Sequence, residues 1–117
     1  MTQAPALPFS KIRLAKGLAF LSGEMPFADD GSIPEGIAAQ TALVLERIAG
    51  TLATAGLGLD DVTQVAVHLV DEADFGAFNA EYRKHFQEPL PVRTTVVARL
   101  LAPGALLEVT VTAAQRD

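Results

Sequence analysis

Arg93, Arg99 and Glu108 stand out near the C-terminus as charges set inside β-branched, apolar runs. The two runs, Val92 to Leu101 and Leu106 to Ala114, read as strands joined around Ala102-Pro103-Gly104-Ala105, and Pro-Gly suits the two central positions of a type II turn. With Ala102 paired to Ala105, period-2 alternation puts Val96, Ala98 and Leu100 on one apolar face with Leu107, Val109 and Val111, a face that belongs under helices. The opposite face then carries Arg93, Thr95, Val97 and Arg99 beside Glu108, Thr110 and Thr112. Such a face is either wet or part of a polar cleft. The same pairing sets Arg99 across from Glu108, so a cross-strand ion pair is the plain structural account of both. Arg93 lies six residues further along, roughly 20 Å at the rise of a strand. Within one regular hairpin it does not touch Glu108. For the two to serve one site, a bulge or a second subunit must bring them together.

Asn79 is the other residue out of pattern. It falls four after Phe75 and three before Tyr82, on the inward face of a helix, where an unpaired amide costs on the order of 1–3 kcal/mol. It either ties the helix to a nearby loop or lines a site. His68 and His85 lie on different elements with no third ligand at a metal-binding spacing, which argues against a metal site. His68 alternates with Ala66 and Val70 as a packed strand residue, and His85 falls near a helix C-terminus, where a cation is mildly favoured. Gly56-Leu57-Gly58 follows a helix without the lysine of a phosphate loop and reads as helix punctuation. Ser10, Ser22 and Ser32 form no nucleophile elbow.

The elements that must position these residues follow from periodicity. Phe9 to Leu21 reads as two strands broken at Lys16-Gly17, preceded by an N-terminal arm containing Pro5 and Pro8. Met25 to Gly36 is a loop with a tight turn at Asp30-Gly31. Ile37, Thr41, Val44, Leu45, Ile48, Leu52 and Ala55 recur as one face of a helix over Ile37 to Ala55, and Gly56 suits a left-handed cap. Val62 to Val70 is a strand. Asp71 offers an N-cap for a second helix near Glu72 to Phe86, with Phe75, Phe78, Tyr82 and Phe86 on one face. Pro89 and Pro91 end it. The order ββαβαββ implies an α+β fold with two helices on one face of a sheet.

Composition bounds the rest. The 117 residues suit a single domain spanning 1–117, half apolar and one-fifth charged, which excludes a disordered chain. The absence of cysteine excludes disulfides and thiolate chemistry. Nine Lys and Arg against 14 Asp and Glu give a net charge of −5, with no basic cluster to meet phosphates, so nucleic acid is not an expected partner. No stretch reaches the roughly 18 apolar residues of a membrane span, and Met1 to Phe9 does not read as a signal peptide. The expectation is a cytoplasmic protein with no membrane partner.

Four stretches in register resemble the Rid (YjgF-type) family of reactive-intermediate enamine/imine deaminases. They are Phe20-Leu21-Ser22-Gly23-Glu24-Met25-Pro26; Thr54-Ala55-Gly56 with Leu59-Asp60-Asp61-Val62; Asp74-Phe75 through Phe78-Asn79-Ala80-Glu81-Tyr82; and Pro91-Val92-Arg93-Thr94-Thr95-Val96 with Pro103-Gly104-Ala105-Leu106-Leu107-Glu108-Val109. The resemblance runs from Phe9 to Ala113. It implies two helices on one face of a mixed sheet, assembled as a chorismate-mutase-like homotrimer with sites in the clefts between subunits. It also implies hydrolysis of 2-imino acids, the tautomers of enamines released by pyridoxal-phosphate enzymes, to 2-oxo acids and ammonia, with no cofactor.

By the same resemblance Arg93 would hold the substrate carboxylate through its planar fork. Glu108 would orient or deprotonate water and return protons to the leaving amine. Gly23 would offer backbone polar groups, and Ser22 and Asn79 would line the cleft. Phe9 stands where many deaminases have tyrosine, and Thr95 where the best-known members have cysteine. Both positions bear on substrate range and rate. The alternatives are a non-catalytic trimer that binds small carboxylates as a sensor or serves as a chaperone-like interaction protein, and the ribonuclease activity attached to some relatives.

Overall fold

The computed structural model describes residues 7–116. The beginning of the expected N-terminal arm, residues 1–6 with Pro5, lies outside them. The elements are β1 (Ile12–Ala15), β2 (Leu18–Leu21), α1 (Ile37–Ala53), β3 (Val62–Leu69), α2 (Phe75–Tyr82), β4 (Val92–Val97) and β5 (Leu107–Ala114). Short 3-10 turns at Leu59–Asp61 and Glu72–Asp74 lead into β3 and α2.

Local signals act where the sequence places them. Lys16 and Gly17 both take positive φ and close the β1–β2 hairpin, with Ala15 opposite Leu18. Helix α1 ends in paired backbone bonds, Leu57 N to Leu52 O and Gly56 N to Ala53 O, with Gly56 at φ 73°. This cap satisfies carbonyls the helix cannot. Asp71 Oδ1 accepts from Ala73 N at 2.9 Å, capping the turn that starts the α2 segment. That segment is helical over a shorter span than Glu72 to Phe86, because its first turn is 3-10 and regular α-helix stops at Tyr82.

The five strands lie in the order β1-β2-β5-β3-β4, all antiparallel except β3 and β4. The expected β4–β5 hairpin does not exist. Helix α2 is the crossover of a β3–α2–β4 unit, and a helical crossover returns the chain parallel to the strand it left. Strand β3 therefore sits between β4 and β5. The Pro103-Gly104 turn does form, with Ala105 N donating to Ala102 O and Gly104 at φ 88°. It shapes a connection that carries the chain past the end of β3, where Val70 N donates to Leu106 O.

The core fills one side of the sheet. Val65, Val67 and Leu69 of β3 stand beside Val111, Val109 and Leu107 of β5, all essentially inaccessible. Val44, Leu45, Ile48 and Leu52 of α1 and Phe78 of α2 cover them. Gln40 is the polar exception: its amide donates to Pro34 O and Gly104 O, and its oxygen accepts from Leu106 N. One side chain thus fastens α1 to both the loop before it and the connection into β5. Among the described residues no helix covers the other side of the sheet, and Phe20, Val92 and Val96 are 45%, 69% and 44% exposed there.

Candidate active site

The parallel register sets Arg93 beside Val65 and Thr95 beside Val67, so both point to the helix-bearing side. Helix α2 lays aromatic rings over that position. The Arg93 guanidinium carbon is 4.7 Å from the Tyr82 ring centre, 5.3 Å from Phe78 and 5.8 Å from Phe75. A cation held against ring faces is stabilised by their quadrupoles and fixed in orientation. Arg93 Nη2 also donates to Asn79 Oδ1 at 2.7 Å. That bond answers where the inward-facing amide finds its partner: it positions the arginine rather than a loop.

The bond to Asn79 uses one of five guanidinium N–H donors, and Arg93 meets no carboxylate among the described residues. A pocket of about 290 Å³ opens beside it, lined by Asn79, Tyr82, Arg83, Leu90, Pro91 and Arg93. The Tyr82 hydroxyl is buried with no hydrogen-bond partner among the described residues. Its burial holds its pKa above the ordinary phenol value, while the neighbouring Arg93 charge pulls the other way. Tyr82 stays a neutral wall of the pocket. The sequence places Phe75, Phe78 and Tyr82 on one helix face, but aromatic spacing on a helix does not disclose which strand residue lies beneath.

Glu108 occupies a different place. It stands on β5 opposite His68 of β3, on the helix-free side. The predicted pairing with Arg99 is absent: β4 ends at Val97, and Arg99 lies in the connection that follows. The predicted common face is also wrong. Arg93 and Thr95 share the helix side with Val65 and Val67, whereas Glu108, Thr110 and Thr112 share the open side with His68, Ala66 and Gln64. The error came from assuming that β4 and β5 paired; interposing β3 reverses the parity of β4.

Residues 22–24 run alongside β5 through paired bonds between Glu24 and Val109. Gly23 is thereby pressed against Glu108: a Cβ at that position would lie 2.6 Å from Glu108 Oε2. A side chain at position 23 would displace the Glu108 carboxylate from this close approach. Ser22 Oγ donates to Ser10 O at 2.6 Å, pinning the start of the segment. Glu24 anchors its far end through Arg47 Nε of α1 at 2.6 Å, with Lys11 nearby. Phe9 is exposed just upstream of Ser10.

The candidate residues therefore form two groups on opposite sides of the sheet: Arg93, Asn79 and Thr95 in one, and Glu108, Gly23 and Ser22 in the other. The bulge allowed for in the sequence reading does not unite them.

The family model described as endoribonuclease L-PSP matches residues 1–115. The chain belongs to this family, also called YjgF or Rid. Among its relatives, the mitochondrial protein mmf2 of Schizosaccharomyces pombe is 34% identical over 111 residues, covering 92% of this chain and 88% of that protein. A YjgF-family protein from Neisseria meningitidis is 33% identical, with a TM-score of 0.87 over 96% of this chain and 92% of the other. RidA from an Antarctic Psychrobacter is 28% identical, with a TM-score of 0.88 over 95% and 91%. These structures share the two helices and the mixed five-stranded sheet. Membership of the Rid family supports an imine/enamine deaminase-type function in general terms.

Proposed function

We propose that this protein hydrolyses 2-imino acids to 2-oxo acids and ammonia, at sites built by Arg93 of one copy and Glu108 of another in a homotrimer. The observation that carries it is the half-buried Arg93 fork, held by three rings and an amide at the edge of a pocket lined by no carboxylate among the described residues. Such a group is prepared for a planar anion, and lysine cannot reproduce the two parallel bonds.

A substrate carboxylate on Arg93 would hold the adjacent C=NH2+ carbon still. Glu108 takes a proton from the attacking water as the C–O bond forms and the C=N electrons move to nitrogen. It then returns that proton to the nitrogen. Loss of ammonia and of the hydroxyl proton leaves the 2-oxo acid, consuming one water per imine. The apolar residues exposed on the helix-free side, Phe20, Val92 and Val96, favour coverage of that side by further copies of the chain. This would carry Glu108 to a neighbour's Arg93. The ribonuclease reading has less support, since a net charge of −5 offers RNA no general attraction.

The test generates 2-imino acids with an amino-acid oxidase and traps the remainder with semicarbazide. Less trapped imine in the presence of the protein is expected. Unchanged trapping across several side chains would reject the reading in favour of a carboxylate-binding protein without turnover.

The packing of Gly23 gives a narrower prediction. Gly23→Ala is expected to keep its fold, because the clashing atoms are the mobile end of Glu108, yet to lower turnover about tenfold or more as that carboxylate is displaced. The checks are kcat/KM and the melting temperature. Wild-type kcat/KM in the variant would show that the position of Glu108 against Gly23 is irrelevant.

A further inference from the structure

A second arginine borders the pocket beside Arg93. Arg83, the residue directly after α2, lines the same space of about 290 Å³. It lies four residues beyond Asn79, on the same helical face, and its backbone N donates to Asn79 O at 3.0 Å. The Asn79 side chain in turn holds Arg93.

The carboxylate in the last turn of α2 is already committed. Glu81 bonds His85 Nε2 at 2.9 Å and Lys84 Nζ at 3.3 Å, and the His85 bond holds its pKa below the ordinary glutamate value. Among the described residues, Arg83 makes no ion pair and no acidic side chain lines the pocket. The remaining walls are the Tyr82 ring, Leu90 and Pro91. Two arginines bordering one small space, with no anion among the described residues that line it, suit a ligand with two separated negative groups. A ligand with one carboxylate and an aliphatic tail satisfies only Arg93.

We propose that Arg83 makes this a site for 2-imino acids bearing a second carboxylate on the side chain, and for their dicarboxylic 2-oxo acid products. The inference rests on Arg93 anchoring the carboxylate next to the reacting carbon. Arg83 then selects the far end of the substrate, with Leu90 and Pro91 bordering the methylenes between.

Calorimetric titration of the full chain with 2-oxoglutarate and with 2-oxopentanoate tests this without relying on catalysis. The two ligands have the same chain length and differ only in the second carboxylate. The wild type is expected to bind 2-oxoglutarate roughly tenfold tighter, the scale of one charge-assisted contact at a partly exposed site. In Arg83→Ala the ratio should fall to about one, and in Arg83→Glu the diacid should become the weaker ligand. Equal binding of both acids by the wild type would overturn the inference while leaving Arg93 as the anchor. So would a preference that survives in Arg83→Ala. Failure of both acids to bind the wild type would overturn the Arg93 anchor as well.

Discussion

Arg93→Ala is expected to reduce 2-imino acid hydrolysis at least about a hundredfold, since two charge-assisted hydrogen bonds to one carboxylate together contribute several kcal/mol. The same substitution removes the guanidinium from its ring contacts with Phe75, Phe78 and Tyr82 and strips Asn79 Oδ1 of its donor. A stability loss of about 1–2 kcal/mol should accompany it. The two effects are separated by measuring kcat/KM and the melting temperature on the same sample. Arg93→Lys sharpens the comparison: it keeps a charge near the rings but offers no planar fork, so most of the activity loss should remain with a smaller loss of stability. A folded Arg93→Ala protein that turns over imines at the wild-type rate would remove the proposed anchor.

The reason Arg93 was visible in the sequence, while its surroundings were not, lies in the range over which each signal acts. Helix α1 is fixed by a continuous apolar face from Ile37 to Leu52 and by Gly56, all within a few turns of one another. The structure reproduces it almost to the residue. Turns at Lys16-Gly17 and Asp30-Gly31 are equally local, with Gly31 at φ 86°. Even the Pro103-Gly104 turn is where local chemistry puts it. Which strand each run pairs with is a different matter, decided by crossover geometry and by competition for the centre of the sheet.

β3 and β5 are the eight-residue strands, and both bury alternate residues against the helices. Their mutual pairing displaces β4 to the edge. One wrong neighbour then moved every β4 side chain to the wrong face. It gave Glu108 a false partner in Arg99 and hid the aromatic bed of Arg93. The order ββαβαββ already contained the missing clue, because a strand, helix and strand in sequence call for a parallel crossover rather than a hairpin that follows. Gly23 illustrates the other limit. Its close contact is with Glu108, 85 positions away in the chain, and no local pattern encodes that approach.

The separation of Arg93 from Glu108 leads to the most discriminating expectation. In β3, their register partners Val65 and His68 lie three residues apart and point to opposite sides. A substrate held by Arg93 cannot reach the Glu108 of its own chain through the sheet. A site that uses both must draw them from two copies. Arg93→Ala and Glu108→Gln trimers should each be close to inactive, because every cleft lacks one of its two groups. When the two variants are co-expressed in equal amounts and assort at random, a cleft receives an intact arginine from one copy and an intact glutamate from its neighbour in about a quarter of cases. Activity should therefore return to roughly a quarter of the wild-type level. Distinct affinity tags on the two variants would isolate mixed trimers and verify their composition. Mixed trimers as inactive as their parents would place the two residues in one chain's site or in no common site. A chain that sediments only as a monomer would end the shared-cleft mechanism directly. Recovery, by contrast, has no single-chain explanation, since neither parent polypeptide carries both groups.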